Sequence, residues 1–321
     1  MLLSLRSSGF SIAYLFSLLL TLCAAQSATA ADGDIPAWLA ANVGTGDGQI
    51  APIVLVRARE LYLKKIADGT VKNSCYFAMD ATRAADMGGG RRFYTICESS
   101  QTFRAVPVGH GSGRNLKGTI NFANGRSCVK NFGNAIDSNL TAGGAYITRE
   151  EKTSFKGYYR VSAKENAVFK RTFIQFDGEG EAATARKREI GGHPSALLRA
   201  TCVRKKPDSP YADKDGMVPF GKLVDYSGGR SNGCTSWTPA DARQIIPILN
   251  GNPATLYIYP ESRDIAAARK KDPGAYWNAT CLKQIGAPKY WSNDVLGPII
   301  AQYESANPVR PDDPLPICKG P

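Results

Sequence analysis

An odd number of cysteines follows an N-terminal segment that is typical of exported proteins. Arg6 precedes an apolar run over residues 10–20, and Ala28 and Ala30 are the small residues that a signal peptidase prefers before its cleavage site. The sequence therefore predicts a signal peptide over residues 1–30. An uncleaved membrane anchor and a lipid anchor on Cys23 are the alternatives, although the apolar run is short for a membrane span.

Cleavage after Ala30 leaves seven of the eight cysteines. These are Cys75, Cys97, Cys128, Cys202, Cys234, Cys281 and Cys318. Thiols tend to pair in an oxidising compartment, and an odd total leaves at least one that is free or bonded to another chain. The simplest account is six structural cysteines and one with a chemical role. The sequence has no Cys-x-x-Cys spacing and only 2 histidines, so we predict no metal and no cofactor.

The composition is that of a folded protein with a basic surface. Apolar residues make up 43% of the 321 residues, enough for a sizeable core, and the formal net charge is +12. Such a charge favours an anionic partner or serves solubility alone. Export and the lack of a nucleic-acid-binding motif argue against nucleic acid, and the anionic cell wall is the expected partner. We expect no stable membrane insertion after signal cleavage, and no pattern indicates an oligomeric state.

Short β segments dominate the sequence pattern, and helices flank them. Apolar residues at helical spacing predict a helix from Ile53 to Lys65, and Thr238 is a good N-cap for a second helix. Strands are predicted at residues 76–80, 92–97, 102–108, 173–176 and 254–259. The first three suggest an antiparallel meander, in which Cys75 and Cys97 could fall close enough to form a disulfide. The predicted fold class is mainly β with flanking helices.

The chain divides by composition after the signal peptide. Residues 31–54 are rich in Gly and Ala and predict a loose lead-in. Residues 55–261 contain the predicted strands and form the main domain. Residues 262–321 are a separate C-terminal extension, helical in its middle and Pro-rich at its end. A bridge between Cys281 and Cys318 would tie this extension down.

One cysteine lies in a glycine-rich loop over residues 228–235. Gly233 allows the sharp turn that would present the Cys234 thiol, and the helix capped by Thr238 follows closely. Loop amides and a helix N-terminus supply positive potential, which lowers the pKa of a thiol and offers donors to an oxyanion. The pattern predicts a nucleophile at Cys234, and a structural disulfide cysteine fits the local residues equally well.

A nucleophilic thiol needs a proton acceptor within hydrogen-bond reach, and the chain offers two histidines. His110 and His193 both lie beside glycines that would let a substrate approach. A histidine in such a place is usually structural or merely exposed. The residues alone therefore do not choose between the two.

The loop from Gly229 to Cys234 resembles the cysteine motif of L,D-transpeptidase (YkuD-like) catalytic domains. It is similar to the murein L,D-transpeptidase subgroup, whose motif reads Gly-Arg-Ser-x-Gly-Cys. Other stretches resemble that subgroup in the same order along the chain. They are residues 68–73, 92–96, 108–113, 144–148 and 188–193. The ordered set covers the main domain and is more specific than any single piece.

The resemblance implies a YkuD-like β-sandwich or mixed-sheet catalytic domain, followed here by a short helical C-terminal extension. It implies that Cys234 is the nucleophile and that His193 is the base. Ser231 and Asn232 would shape the motif, and backbone amides around Gly233 would stabilise an oxyanion.

The resemblance also implies a substrate-binding set. His110 would line the substrate cleft rather than act as base, and Tyr146 lies in a stretch that matches the family. Arg230 could meet a substrate carboxylate, and a purely structural role is an equal alternative.

The family carries out two acyl transfers on a peptidoglycan tetrapeptide stem. A thiolate attacks the carbonyl between an L-centre and the terminal D-alanine, D-alanine leaves, and an amine of a second stem resolves the thioester. The resemblance thus implies a periplasmic or otherwise exported transferase of cell-wall biogenesis, with peptidoglycan stem peptides as partners. The alternatives are an L,D-carboxypeptidase, with water as acceptor, and a catalytically silent wall-binding protein stapled by disulfides.

Three departures from the family pattern bear on these expectations. Asn232 stands where many members have histidine, and Thr235 where many have arginine. His193 and Cys234 are also further apart along the chain than is usual in the family. The excess falls in residues 204–227, which hold loop-like residues and predict an insertion that could cap the cleft.

Overall fold

The computed structural model describes residues 35–85, 90–162, 165–227, 230–308 and 313–319. The predicted signal peptide lies outside these ranges, as do Gly228 and Gly229 of the cysteine loop. None of the helices in the described part of the chain is long and apolar enough to cross a bilayer.

Strands account for most of the regular structure, and helices flank them. The strands are β1 (Cys75–Asp80), β2 (Arg91–Cys97), β3 (Thr102–Pro107), β4 (His110–Gly111), β5 (Asn115–Leu116), β6 (Ile120–Asn121), β7 (Asn131–Gly133), β8 (Gly144–Arg160), β9 (Asn166–Gly178), β10 (Gly191–Pro194), β11 (Ala196–Lys205), β12 (Met217–Asp225), β13 (Arg230–Ser231), β14 (Thr235–Trp237), β15 (Thr255–Tyr259) and β16 (Lys289–Trp291). The helices are α1 (Pro52–Ala67), α2 (Pro239–Leu249), α3 (Ser262–Lys270), α4 (Ala279–Ile285) and α5 (Asn293–Ala306). The mainly β class is confirmed, as a large mixed sheet with helices around it.

The main sheet has ten strands. Eight follow the order β14-β10-β9-β8-β15-β1-β2-β3, and β12 attaches to β8 and carries β11. β1, β2 and β3 pair antiparallel, which confirms the predicted meander. The pairs β1–β15, β10–β14 and β8–β12 are parallel, so the sheet is mixed.

The central strands are buried on both faces. Helix α1 covers one face and forms a first core with it, and other segments of the chain cover the opposite face, which belongs to a second core. In β1, Tyr76 and Ala78 belong to the core under α1, while Phe77 and Met79 belong to the opposite core. This alternation is what a strand with two covered faces requires. Trp237, at the end of β14, is fully buried in the second core. The second core therefore supports the strand that follows the cysteine loop.

Both helices predicted for the main domain are confirmed. α1 begins at Pro52, where proline's missing N–H costs nothing, and extends past the predicted end at Lys65. α2 is capped by Thr238, whose hydroxyl accepts the backbone N–H of Asp241 at 3.0 Å.

The predicted insertion at residues 204–227 is largely a hairpin. Met217–Asp225 form β12, which pairs along its length with β11, so the loop prediction is wrong for these residues. Pro219 and Gly221, which lie inside the strand, conceal its pattern in the sequence. Gly221 has a packing reason, since a Cβ there would lie 2.2 Å from the carbonyl oxygen of Arg199.

Six cysteines form disulfides, and one predicted pairing is wrong. The bridges are Cys75–Cys97, Cys128–Cys281 and Cys202–Cys318. Cys75 and Cys97 are register partners on β1 and β2, which confirms that pairing. The predicted Cys281–Cys318 bridge does not form. The segment around Cys318 instead pairs with β11, while α4 places Cys281 beside the loop before β7.

The segments on either side of the main domain pack against it. Leu39 and Ile50 are fully buried in the core under α1, so the expectation of a loose lead-in is wrong for residues 35–50. In the C-terminal extension, Ile265 of α3 is buried in the second core. Arg57 of α1 donates to both carboxylate oxygens of Asp264, at 2.6 and 2.8 Å. Both segments thus share cores with the main sheet.

Candidate active site

Two parallel strands bring the candidate nucleophile and the candidate base together. β10 carries His193, and β14 begins directly after Cys234. Gly192 pairs with Thr235, one residue past the cysteine. A Cβ at Gly192 would lie 2.2 Å from the Trp237 ring, so this face of β10 is packed against the core. His193 points to the other face, because successive side chains of a strand alternate.

Cys234 and His193 line one cavity of about 860 Å³, a volume typical of small-molecule sites. Near the thiol, the wall also includes Arg171, Arg188, Tyr226, Arg230, Ser231 and Asn232. The cavity continues along β8 and β9, where Phe155 and Phe173 supply apolar surface. Three arginines and one lysine line the cavity against Asp137 and Glu189, so on balance it is basic and suited to an anionic ligand.

Cys234 is the free cysteine of the described residues, and it is partly exposed. Its Sγ donates to the backbone oxygen of Glu189 at 3.6 Å. Burial raises the pKa of the thiol above its ordinary value. A hydrogen bond from the Gly191 backbone and the charges of Arg171 and Arg188 offset this rise only in part. The resting thiol is therefore protonated at neutral pH.

The expectation that the loop lowers the pKa of this thiol is wrong for the resting protein. β14 separates Cys234 from α2, so the helix N-terminus does not abut the sulfur. The helix is also already capped by Thr238. A base must therefore remove the thiol proton during any reaction.

His193 is neutral, and its available lone pair is on Nε2. Its Nδ1 lies 2.9 Å from the backbone oxygen of Pro194. A carbonyl can only accept, so Nδ1 carries the proton and Nε2 is the basic atom. Burial and the charge of Arg171 lower the pKa of His193 to about 4. Phe173 stacks on the ring, with 6.1 Å between centroids, and fixes its plane.

The hydrogen bond from Cys234 to Glu189 means that the thiol must change partner before it can transfer a proton to His193. Catalytic hydrogen bonds often tighten only when substrate is bound. The carbonyl that holds the thiol comes from a residue with unusual backbone geometry. Glu189 has a φ of +52°, in the left-handed region. Such conformations cost energy for a residue of this type and cluster at functional sites.

One wall of the cavity comes from the hairpin that the sequence predicted as a lid. Tyr226 follows β12, and its hydroxyl accepts from Arg171 Nη1 at 3.1 Å. The same hydroxyl lies 3.4 Å from Nδ1 of His193. Arg171 is held in turn by Ser154, whose Oγ accepts from its Nε at 2.8 Å, and by the ring of Phe155, 4.2 Å below its guanidinium. The base is thus bordered by a fixed pair of polar groups.

Ser231 closes the cysteine loop on itself. Its Oγ donates to the backbone oxygen of Cys234 at 2.5 Å and accepts the Gly233 N–H at 3.2 Å. Gly233 has a φ of +105°, and a Cβ there would lie 2.9 Å from the Leu140 oxygen. The loop requires glycine at this position, and its amide is already engaged in the resting structure. Asn232 is exposed at the rim of the cavity.

The three predicted substrate-binding residues lie in different environments, one on the cavity wall and two in the core. Arg230 is exposed on the cavity wall, and its Nη1 donates to the Asn124 oxygen at 3.3 Å. His110 is fully buried, and Tyr146 is 1% exposed, with its hydroxyl donating to the Ala142 oxygen at 2.8 Å. The prediction that these two line the cleft is wrong, because both point into the core beneath it. His110 reaches the site only indirectly, through the pairing of its strand with Arg230.

Sequence analysis assigned no role to four polar residues near the thiol and the base, Arg171, Arg188, Glu189 and Tyr226. Arg188 and Glu189 lie in a stretch that resembles the family, but nothing in that stretch assigned them a role. Arg171 is one of two adjacent basic residues on β9, and its burial is visible only in the fold. Tyr226 lay in the stretch interpreted as a loop. No sequence signal distinguishes these side chains from others of their type.

Comparison of the chain with protein-family models, with curated proteins and with solved structures finds no match. A proposal of function therefore rests on the geometry of the site and on the resemblance of its cysteine loop.

Proposed function

We propose that the protein is an L,D-transpeptidase with a YkuD-like catalytic domain, acting on peptidoglycan in the cell envelope. One observation carries the proposal: a free thiol and a neutral histidine with an available Nε2 line the same basic cavity. The other six cysteines of the described residues are paired, so this thiol is not used for structure. The resemblance of the cysteine loop supplies the reaction and the substrate class.

In the first step, Nε2 of His193 takes the proton of the Cys234 thiol as the sulfur attacks the carbonyl before the terminal D-alanine. The C–N bond breaks, the proton passes to the leaving amine, and a thioester remains on Cys234. A general base of this kind contributes typically about 10²–10⁴-fold to the rate. The hydrogen bond to Pro194 keeps the ring in the tautomer that this step needs.

In the second step, an amine of another stem attacks the thioester. His193 takes a proton from the attacking amine and returns it to the departing sulfur, which restores the neutral pair. The new amide bond is the crosslink, and no oxidant or cofactor enters the balance.

The arginines of the cavity act on the charges of this reaction. Arg171 and Arg188 favour the anionic form of the sulfur, and their fields also stabilise negative charge that develops nearby on the substrate oxygen. Arg230, exposed on the wall, can meet a carboxylate of the stem peptide. Arg171 and Arg188 therefore help a partly exposed thiol to ionise during the attack.

The direct test is covalent labelling with a carbapenem, since the family that the loop resembles is acylated by such β-lactams at its cysteine. We expect one adduct, located on Cys234 by peptide mass spectrometry, and none in Cys234→Ala. The matched variant His193→Ala should be labelled far more slowly. Failure to label Cys234 in folded protein would contradict the proposal.

Product analysis separates transfer from hydrolysis. Incubation with purified peptidoglycan should yield crosslinked dimers, detected by chromatography and mass spectrometry. Trimmed tripeptides without dimers would assign the same site to an L,D-carboxypeptidase. Unchanged peptidoglycan would contradict catalysis and favour the alternative of a catalytically silent wall-binding protein.

A further inference from the structure

Strands β9, β8, β12 and β11 form a layer beside the active site, and its two faces differ in chemistry. Successive side chains of a strand point to opposite faces. Phe155 and Arg171 are register partners on β8 and β9, and both line the cavity. The alternate set faces away from the cavity, and we call it the outer face. Its exposed residues include Lys156, Arg160, Val168, Lys170, Arg199 and Lys222, together with Asn166 and, towards the other end of β8, Glu151.

Like charges stand directly opposite each other twice on the outer face. Lys156 pairs in register with Lys170, and Arg199 pairs in register with Lys222. Directly opposed like charges destabilise an antiparallel pair. The sheet thus tolerates two unfavourable pairs on one face, although polar residues without charge would have been cheaper for folding.

A fifth cation extends one of these pairs into a row. Phe220 of β12 pairs in parallel with Tyr158 of β8, and continuing that register puts Lys222 level with Arg160. Arg160, Lys222 and Arg199 therefore form a row across three adjacent strands. Lys156, four residues before Arg160, is about 13 Å away along β8.

These five cations lack acidic partners. Within the described residues, none of them forms an ion pair with a carboxylate. Their charge is therefore available to an external anion. Two arginines near the other end of β8 behave differently, since Arg149 and Arg186 are both paired with Asp177.

The spread of the cations favours an extended anionic partner over a single small ligand. The cations spread over two dimensions rather than along a groove, and the active-site cavity lies on the other side of the layer. Val168, between the two cation groups, is 43% exposed, and Val161 at the free end of the β8–β9 hairpin is 55% exposed. Basic residues around exposed aliphatic side chains are typical of surfaces that bind anionic lipid headgroups.

We propose that the outer face docks on an anionic phospholipid surface. Because Phe155 and Arg171 point the opposite way, docking would turn the active-site cavity away from the bilayer. This inference concerns a surface remote from Cys234 and does not depend on the proposed reaction.

Sedimentation of the purified exported protein with lipid vesicles tests the proposal. We expect binding to vesicles of phosphatidylcholine with phosphatidylglycerol, little binding to phosphatidylcholine alone, and a loss of binding as salt is raised. The triple variant Lys156→Gln, Lys170→Gln and Lys222→Gln should bind on the order of 100-fold more weakly, since each basic side chain near an anionic surface contributes about fivefold. The triple variant should unfold at the same temperature as wild type or higher.

A second triple variant provides the matched control. Lys72→Gln, Lys117→Gln and Lys283→Gln remove the same charge from exposed positions outside the layer and should leave vesicle binding nearly unchanged. An equal loss in both triple variants would show that only net charge matters and would overturn the proposal. Absence of binding to the anionic vesicles would also overturn it, and retention by soluble polyphosphate in that case would assign the face to a polymer. Carbapenem labelling of Cys234, measured alongside, reports on the proposed function separately.

Discussion

The two histidines of the chain are both buried, yet their surroundings suit them to opposite tasks. His193 is 5% exposed on a cavity wall, with Nδ1 held by the Pro194 oxygen and Nε2 available. His110 has no exposed surface, and its two ring nitrogens face the oxygens of Gly111 and Arg126, at 3.0 and 3.4 Å. His193 thus lines the cavity with one ring nitrogen held by a backbone oxygen, whereas His110 lies away from it with both nitrogens facing backbone oxygens.

The difference shows that burial alone does not make a histidine either structural or catalytic. Burial lowers the pKa of both rings, to about 4 in His193 and about 3 in His110. Both are therefore neutral, and a neutral ring donates through one nitrogen only. In His110 the shorter contact, to Gly111, takes that donor, and the other nitrogen is enclosed. In His193 the enclosed nitrogen is the donor, which leaves the basic one for chemistry.

The largest effect is expected when the imidazole ring of His193 is removed. His193→Ala should lower kcat/KM for peptidoglycan fragments by about 10³-fold, the contribution of a general base, while Cys234→Ala abolishes turnover. The unfolding temperature of both variants should stay close to that of wild type, because both side chains line a cavity rather than fill the core. Full activity in folded His193→Ala would remove the base assignment and erase the contrast between the rings.

Removing the enclosed imidazole ring of His110 should instead lower the stability of the fold. His110→Ala leaves a cavity in packed surroundings and should lower the free energy of unfolding by about 3 kcal/mol, measured by urea denaturation. Below its unfolding midpoint, the folded fraction should keep kcat/KM within a few-fold of wild type. A variant of normal stability without activity would mean that His110, and not His193, serves the reaction.

The sequence predicts that Cys234 and His193 share a site, and it predicts less well which other residues form the walls of that site. The loop around Cys234 and the strand of His193 were identified because short motifs fix local geometry, and Thr238 marked α2 for the same reason. By contrast, the environments of His110 and Tyr146 depend on how distant strands pack. A motif names a residue but does not say which face of its strand is covered.

The same limit explains the errors in the fold. β12 was hidden by Pro219 and Gly221, which usually interrupt strands but are tolerated here near the edge of the sheet. Disulfide partners could be predicted only where two neighbouring strands pair, as for Cys75 and Cys97. The pairing of Cys318 follows from the return of the C-terminal segment to β11, a long-range contact without local signal.

Acidification should distinguish the two histidines, because the pH dependence of stability reports on both rings and that of kcat/KM on His193 alone. Both pKa values lie below the ordinary 6.5, so the unfolded chain binds more protons than the folded one. The stability that each ring contributes is complete above about pH 6.5 and is lost as the pH falls, towards about 4 for His193 and about 3 for His110. The acid limb of kcat/KM, however, should follow His193 alone and fall below about pH 4.

The control is His110→Gln, which removes one titrating ring. The variant should show a weaker dependence of the unfolding midpoint on pH between 6.5 and 3, with the acid limb of kcat/KM unchanged. A limb that moves in this variant would tie His110 to the reaction and contradict the contrast.

The smallest expected effect comes from removing the tyrosine hydroxyl that borders the imidazole ring of His193. Tyr226→Phe removes the hydroxyl that accepts from Arg171 and lies 3.4 Å from Nδ1 of His193, while the aromatic ring is kept. We expect kcat/KM to fall by about fivefold, on the order of one neutral hydrogen bond, with little change in unfolding temperature. Tyr158→Phe is the matched control, since Tyr158 lies on β8 of the same layer and its hydroxyl contacts Ser209 in the turn between β11 and β12. Equal rates in the two variants would show that His193 is positioned by Pro194 and Phe173 alone, and that the hairpin serves only as a wall.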